Sequence, residues 1–202
     1  MQKIMLYFKS PNNKQQPALL ILDIDETLLH ASTYPLAQPC DYKAERTWVY
    51  KRPYVDEFLK YCEQFFTLAI WTSARASYAY EICSNVFPTL TPVFIYSEKH
   101  CLTGTAPDGT AHSIKPLKRV EQLGFNLKRV LIIDDSVEKL SHNPMNLLAI
   151  APFYPKSLSN NKDSEDSELK NIQKSLEQLK HEENFLVIEK NNNKIHHQYS
   201  RA

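Results

Sequence analysis

The sequence predicts an α/β protein built around a mostly parallel sheet. Three apolar runs, at residues 18–22, 65–71 and 129–133, are long enough to be buried strands, and each run ends at polar residues. The segments between them carry apolar residues at helical spacing. Strands that alternate with helices in this way are typical of parallel sheets, because a helix usually connects one parallel strand to the next.

The sequence also predicts further helices and strands. Pro53 is favoured at the start of a helix, and four apolar residues then share one helical face: Val55, Phe58, Leu59 and Cys62. Residues 74–86 predict a second helix, which Pro88 prevents from continuing. Residues 93–96 and 147–151 are predicted to be two further strands.

The remaining segments predict a hairpin, a helix and two polar stretches. Asp108-Gly109 is a hairpin-type turn signal, so residues 101–113 are expected to form a small polar excursion. Residues 160–167 are polar and are expected to be a mobile linker. The helix that follows is amphipathic, with four residues expected to pack into the core: Leu169, Ile172, Leu176 and Leu179. We expect one domain over residues 1–190 and a disordered tail over residues 191–202.

Two carboxylates follow the first apolar run, in the segment Asp23-Ile24-Asp25-Glu26-Thr27. Side chains two apart on an extended strand project from the same side, so Asp23 and Asp25 can converge. Converging carboxylates repel unless they share a proton, a cation or a basic partner. The pattern suits phosphoryl transfer, with Asp23 attacking phosphorus, Asp25 as general acid and base, and Thr27 orienting Asp25. The alternative is a polar junction whose side chains cap backbone N–H groups.

Polar residues at later strand ends are expected to join this pair. Thr72 and Ser73 follow the second apolar run, where hydroxyl and N–H groups suit phosphate oxygens. Lys115 precedes a short predicted helix, and Asp134-Asp135 follow the third run. Ligands of open parallel sheets bind beyond the carboxyl ends of the strands, so these residues should meet in one crevice with the hairpin near its mouth. Alternatively, Thr72-Ser73 cap the next helix, Lys115 is a solvated surface lysine, and Asp134-Asp135 begin a turn.

Longer segments resemble the haloacid-dehalogenase superfamily of phosphotransferases, and within it the branch of C-terminal-domain phosphatases and NIF-like phosphatases. The matching segments are DIDETLLH at 23–30, KRPYVDEFL at 51–59, IWTS at 70–73, Tyr78-Ala79, Leu123-Gly124 and VLIIDDS at 130–136. The resemblance covers about residues 19–179. The KRPYVDEFL segment is the most specific, because nothing in phosphoryl chemistry demands it. The resemblance implies a three-layer, doubly wound fold of the haloacid-dehalogenase type.

The resemblance also implies a Mg²⁺-dependent phosphatase that acts through an aspartyl-phosphate intermediate. Asp23 would be the nucleophile and Asp25 the general acid and base. The phosphate would be bound by Thr72, with its neighbour Ser73, and by Lys115.

Further roles implied by the resemblance concern the metal and the substrate. Mg²⁺ would be held by Asp23, by the main-chain carbonyl of Asp25 and by Asp135. Asp134 would pair with Lys115 or orient metal-bound water. Thr27 and Tyr78 are placed on the substrate side, where Tyr78 matches a tyrosine of the family.

The chain departs from the family pattern at three places. Asp135 and Val137 stand where relatives usually carry Asn and Pro. If Asp135 binds the metal, its carboxylate adds an anionic oxygen ligand. Ser97 stands where relatives that bind phosphopeptides carry arginine. The segment at residues 31–50 is shorter than the hairpin region of the relatives.

The composition restricts the possible functions of the protein but does not identify one. The chain has 202 residues and a net charge of +1, which predicts one compact domain and no general attraction for nucleic acid. Its four cysteines show no CxxC pairing and are expected to be reduced. No apolar stretch approaches the roughly 20 residues of a membrane span. We expect a monomer in a reducing, cytoplasmic or otherwise intracellular compartment, although a non-classical secretion signal would escape recognition here.

The favoured function is dephosphorylation of a phosphoserine or phosphothreonine protein or peptide. One alternative is a phosphatase of small metabolites or nucleotides, and another is a non-catalytic scaffold that retains the fold. Asp23→Asn is expected to abolish turnover. Because it would relieve repulsion with the other acids, the same change is expected to leave the fold at least as stable.

Overall fold

The computed structural model describes residues 18–44, 46–106, 108–155 and 166–186. The expected linker at 160–167 lies outside these ranges except for its last two residues. The expected tail at 191–202 lies wholly outside them.

Ten strands are described: β1 (Leu19–Leu22), β2 (Leu29–Ser32), β3 (Tyr42–Lys43), β4 (Trp48–Lys51), β5 (Thr67–Trp71), β6 (Ile95–Tyr96), β7 (Leu102–Thr105), β8 (Ala111–Ile114), β9 (Val130–Asp134) and β10 (Leu147–Ala149). The α-helices are α1 (Val55–Phe65), α2 (Ala76–Asn85), α3 (Lys118–Glu121) and α4 (Glu168–Leu179). Short 3-10 helices lie at Glu98–His100, Leu127–Arg129, Val137–Leu140 and Pro144–Asn146.

Five parallel strands form the central sheet, in the order β10-β9-β1-β5-β6. Alternate residues of its strands enter two cores. On one face Leu20 and Leu22 of β1 pack in a core with α1, α2 and α4. On the other face Leu19 and Ile21 pack in a core with α3 and the nearby 3-10 turn at Val137–Leu140. The three-layer α/β fold is therefore confirmed, and its sheet is wholly parallel.

The elements begin and end close to the predicted positions. The predicted faces of α1 and α4 are the buried ones in both helices. The strand predicted from residue 65 begins instead at Thr67, because Phe65 is the last residue of α1 and is 37% exposed. The strand predicted over 147–151 ends at Ala149.

Two antiparallel units stand apart from the central sheet. Strands β2, β4 and β3 form a three-stranded sheet in that order. Strands β7 and β8 form the predicted hairpin, which turns through Gly109 at a left-handed φ of 86°. A β-carbon is disfavoured in this backbone region, so glycine suits the turn.

The cysteines are free thiols, with Cys62 and Cys83 buried and Cys40 and Cys101 partly exposed. Among the residues described, no helix combines the length and apolar character needed to cross a membrane.

Candidate active site

The carboxyl ends of three adjacent strands carry the predicted polar residues. Asp23 follows β1, Thr72 follows β5 and Asp134 is the last residue of β9. Each of the three is 1% exposed or less. The N–H of Asp23 donates to the carbonyl of Ile133 over 3.0 Å, so β1 stays joined to β9 up to the site. The strand ends therefore meet at one edge of the sheet, as the sequence predicts.

The acid loop, residues 23–27, turns sharply after Asp25. The N–H of Leu28 donates to the carbonyl of Ile24 over 2.9 Å, and the N–H of Glu26 donates to the carbonyl of Leu29 over 2.8 Å. Glu26 adopts a left-handed φ of 58°, which is uncommon for a residue other than glycine. Such a conformation persists where its surroundings hold it.

Arg52 supplies much of that support, and its role was missed in the sequence. Its side chain is fully buried and donates from Nη1 to the carbonyl of Thr27 over 3.1 Å and from Nη2 to the carbonyl of Ala151 over 2.7 Å. Its Nε and Nη2 also donate to the two carboxylate oxygens of Asp166, over 3.0 and 2.9 Å. Arg52 thus ties the acid loop to the segment that leads into α4. Arg52 belongs to the KRPYVDEFL segment, so these contacts show that the segment stabilises the acid loop.

Lys115 joins two of the acids. Its fully buried Nζ lies 2.8 Å from Oδ1 of Asp23 and 2.6 Å from Oδ2 of Asp134. The position fits the expected pairing of Lys115 with Asp134. An ammonium group held at this point can also neutralise the oxygens of a phosphate bound beside Asp23.

Lys139 is a second lysine that contacts the acids, and it is not among the residues predicted from the sequence. Its Nζ lies 2.9 Å from Oδ2 of Asp23, 3.0 Å from Oδ1 of Asp134 and 3.3 Å from Oδ1 of Asp135. The main chains of the two lysines are also joined, because the N–H of Lys115 donates to the carbonyl of Lys139 over 2.7 Å. The one available signal was the spacing of four residues from Asp135, which is common among surface pairs.

The two lysines set the charge state of Asp23. Burial alone would raise the pKa of this carboxyl, but the nearby Lys115 and Lys139 together hold it below its usual value. Asp23 is therefore an ionised carboxylate at neutral pH. The same ion pairs reverse the expectation that Asp23→Asn leaves the fold at least as stable, because the mutation would remove a partner from two lysines.

Asp25 lies in a different environment from Asp23. Its Oδ1 accepts a hydrogen bond of 2.5 Å from the hydroxyl of Tyr78 on α2. Burial raises the pKa of Asp25 to about 7, with the charge of Asp23 adding to the effect and the Tyr78 hydrogen bond opposing it. The structure thus places Tyr78 beside the predicted general acid. A carboxyl with this pKa can give and take a proton near neutral pH.

The hydroxyl groups predicted at the site differ in their bonding. Oγ1 of Thr72 accepts a hydrogen bond of 3.0 Å from the N–H of Ala74, so this side chain also shapes the turn before α2. Oγ of Ser73 is buried and has no hydrogen-bond partner among the described residues. Oγ1 of Thr27 is likewise buried and unpaired there, so the expected contact with Asp25 is not made. Thr27 is wholly buried, as Lys115 is, and its expected place on the substrate side stays a prediction.

Ser97, where phosphopeptide-binding relatives are expected to carry arginine, lies in a packed turn. The residue is 2% exposed, and its N–H donates to Nδ1 of His100 over 3.0 Å. The ring of His100 stacks on Tyr96 with 4.1 Å between ring centroids. The position therefore offers no open surface to a substrate.

Three carboxylates form a group that fits a divalent metal ion. Asp23, Asp134 and Asp135 each offer an oxygen, and these oxygens lie within 4.8 Å of one another. Oxygen donors of this kind suit a hard cation such as Mg²⁺. The carboxylate of Asp25 is outside this group, which is consistent with the expected use of its main-chain carbonyl.

Known phosphatases are similar to this chain over most of its length. A sequence profile of the family described as NLI interacting factor-like phosphatase matches residues 18–186. The CTD small phosphatase-like protein 1 of Caenorhabditis elegans is 30% identical over 169 residues, which cover 79% of this chain and 31% of that relative. The human carboxy-terminal domain RNA polymerase II polypeptide A small phosphatase 1 is 26% identical over 167 residues, which cover 79% and 58% of the two chains. This chain therefore spans less than two thirds of either relative.

A solved structure supports the fold independently. The fission yeast RNA polymerase II CTD phosphatase Fcp1, in a variant bound to beryllium fluoride, matches with a TM-score of 0.53 and 20% identity. The match covers 80% of this chain and 51% of that one. At this identity the similarity concerns the arrangement of the chain.

Proposed function

Since the chain belongs to the NLI interacting factor-like phosphatase family, we propose that it is a Mg²⁺-dependent phosphomonoesterase with Asp23 as its nucleophile. The observation that carries the proposal is the contrast between two neighbouring carboxyls. Asp23 is buried against two lysines, and Asp25 is buried against a phenol hydroxyl. One group is thereby kept ionised while the other is able to hold a proton, as nucleophile and general acid require.

In the first half of the reaction, a carboxylate oxygen of Asp23 forms a bond to phosphorus and the ester P–O bond breaks. The departing oxygen takes the proton of Asp25. In the second half, Asp25 removes a proton from a water molecule, whose oxygen then attacks phosphorus. The bond to Asp23 breaks, phosphate leaves, and both carboxyls return to their starting states.

Other residues of the site position the phosphate. Lys115 offers an ammonium group that already contacts Asp23, and Ser73 offers a buried hydroxyl with a free hydrogen-bonding capacity among the described residues. At the end of β5, Thr72 offers its hydroxyl proton, because its backbone N–H already donates to the carbonyl of Tyr96. Mg²⁺ would be held by Asp23, Asp135 and the carbonyl of Asp25, with Asp134 close by, and would neutralise charge on the transferring phosphoryl group.

For the substrate we propose a phosphoserine or phosphothreonine protein or peptide. The names of the relatives support it, since they refer to phosphatases of the C-terminal domain of RNA polymerase II. A second candidate is a phosphorylated small metabolite or nucleotide. The buried Ser97 favours it, because the guanidinium group expected in peptide-binding relatives has no counterpart at this position.

One experiment tests chemistry and substrate together. Purified protein with Mg²⁺ is assayed for phosphate release from a panel of phosphopeptides and, in parallel, a panel of phosphometabolites. We expect turnover that a chelator removes and added Mg²⁺ restores, and we expect beryllofluoride with Mg²⁺ to inhibit by mimicking the phosphoryl group on Asp23. Full activity in excess chelator would refute the metal-dependent mechanism. Asp23→Asn is the matched control, and its activity should be indistinguishable from background.

A further inference from the structure

Lys139 is the feature of the site that the proposed mechanism does not use. It belongs to the short 3-10 helix at Val137–Leu140, close after the acidic pair that ends β9. Its ammonium nitrogen contacts all three carboxylates of the candidate metal group, at distances of 2.9 to 3.3 Å. A lysine in such a position neutralises the charges that a metal ion would neutralise.

The two lysines divide the carboxylate oxygens between them. Lys115 takes Oδ1 of Asp23 and Oδ2 of Asp134, and Lys139 takes Oδ2 of Asp23 and Oδ1 of Asp134. The remaining contact of Lys139 is with Oδ1 of Asp135. A divalent ion ligated by Oδ2 of Asp23 and Oδ1 of Asp135 would use the two oxygens that Lys139 now contacts. Mg²⁺ lies about 2.1 Å from its ligands, so it would be within a few ångströms of a like-charged ammonium group.

The two lysines also differ in how easily their ammonium groups can move away from the carboxylates. The side chain of Lys115 is 0% exposed, whereas that of Lys139 is 17% exposed. Lysine has a long stem with many rotamers, so the charged end of a partly exposed lysine can move to solvent while its Cα stays in place. Lys139 is therefore the lysine whose ammonium group can move from the carboxylates to solvent.

We propose that Lys139 is a tethered counter-cation that competes with Mg²⁺ for Asp23 and Asp135 and thereby sets the metal affinity of the site. The inference rests on the metal site of the proposed function. Binding of Mg²⁺ displaces the ammonium group towards solvent. The cost of that displacement weakens metal binding, and removal of the lysine strengthens it.

The first test is the affinity of the full chain for Mg²⁺ by isothermal titration calorimetry after treatment with a chelator. Lys139→Met keeps an unbranched side chain without the charge, and we expect its dissociation constant to fall roughly tenfold, within the range usual for coupled binding. Lys139→Arg keeps the charge and should not bind more tightly than wild type. Lys118→Met removes an exposed lysine of the same domain and should change little.

The second test measures displacement itself. The protein is labelled with acetic anhydride with and without Mg²⁺, and each lysine is quantified by mass spectrometry. We expect Mg²⁺ to raise the labelling of Lys139 several-fold and to leave Lys115 unlabelled. This readout separates displacement from a general electrostatic effect of the charge. It also needs wild-type protein alone, so it stands even if Lys139→Met does not fold.

Two outcomes would overturn the proposal in distinguishable ways. Wild type that binds Mg²⁺ as tightly as Lys139→Met, with no change in labelling, would refute the competition and leave the metal site intact. Failure of both proteins to bind Mg²⁺ would refute the competition together with the metal-dependent function.

Discussion

The hydroxyl of Tyr78 donates a hydrogen bond to Oδ1 of Asp25 over 2.5 Å, which joins α2 to the acid loop. The phenol is itself hard to ionise, because burial and the charge of Asp25 both raise the pKa of Tyr78. It therefore remains a donor over the whole working range of pH. A fixed donor favours the ionised form of Asp25 and opposes the effect of burial.

Tyr78→Phe should raise the pKa of Asp25 further, because it removes the interaction that stabilises the ionised carboxylate. In the proposed mechanism Asp25 must be protonated for the first half of the reaction, so the alkaline limb of kcat/KM should move up by roughly half to one pH unit. The check is a pH–rate profile with a small aryl phosphate. Tyr80→Phe, at an exposed position on the same helix, is the control and should leave the profile in place. A downward shift in Tyr78→Phe would contradict the assigned hydrogen bond.

Asp25→Asn should stabilise the protein at alkaline pH and not at acid pH. The pKa of Asp25 is about 7 in the fold and 3.8 ordinarily, so the folded chain holds the proton more tightly and stability falls as pH rises between these values. The variant escapes this loss. We expect it to gain about 1–3 kcal/mol at pH 8 and nothing near pH 4, measured by urea unfolding in chelator. An equal gain at both pH values would point to a cause other than titration.

Asp23→Asn should abolish turnover and also destabilise the fold. The carboxylate is the partner of Lys115 and Lys139, and loss of one member of a buried ion pair costs about 3–5 kcal/mol. Urea unfolding in chelator measures the loss. In the double variant with Lys139→Met the two changes should not simply add, because Asp23 and Lys139 contact each other directly. A single variant as stable as wild type would show that repulsion among the acids outweighs the ion pairs.

Arg52→Lys should destabilise the protein even though it keeps the charge. A lysine cannot bond both oxygens of Asp166 and also reach the carbonyl groups of Thr27 and Ala151. We expect a loss of about 2–4 kcal/mol in the free energy of unfolding. Arg46→Lys, at an exposed position, is the matched control and should be neutral. Equal stability of the two variants would show that the bonds of Arg52 do not stabilise the fold.

Ser97→Arg tests whether this position can face a substrate. Because Ser97 is 2% exposed, an arginine must be buried without a partner or must open the turn, at a cost of about 1–3 kcal/mol. We expect a lower Tm and no decrease in KM for phosphopeptides. Lys99→Arg places an arginine at an exposed neighbour and should leave Tm unchanged. A decrease in KM for Ser97→Arg would show that the guanidinium group reaches the substrate.

The sequence predicted those parts of the site that depend on strand ends. Asp23, Thr72 and Asp134 each terminate an apolar run, and a parallel sheet aligns such ends at one edge. Thr72 and Asp23 therefore came together in the prediction without any knowledge of side-chain contacts.

The residues that sequence reasoning missed act through contacts that no local pattern describes. Lys139 reaches Asp23 across 116 positions, and Arg52 reaches Asp166 across 114. Neither residue carries a local signal that identifies its distant partner, since the spacing of Lys139 from Asp135 is also common among surface pairs. The unpaired hydroxyl of Thr27 was unpredictable for the same reason, since its isolation depends on how the surrounding core packs.

The bond between Arg52 and Asp166 also has a consequence for the order in which the chain matures. The acid loop is synthesised among the first residues of the domain, but the carboxylate that completes the partners of Arg52 is made more than a hundred residues later. On the ribosome, the buried guanidinium group therefore waits for Asp166 to emerge before all its bonds can form. We therefore expect catalytic competence to appear only after Asp166 has emerged and α4 has docked.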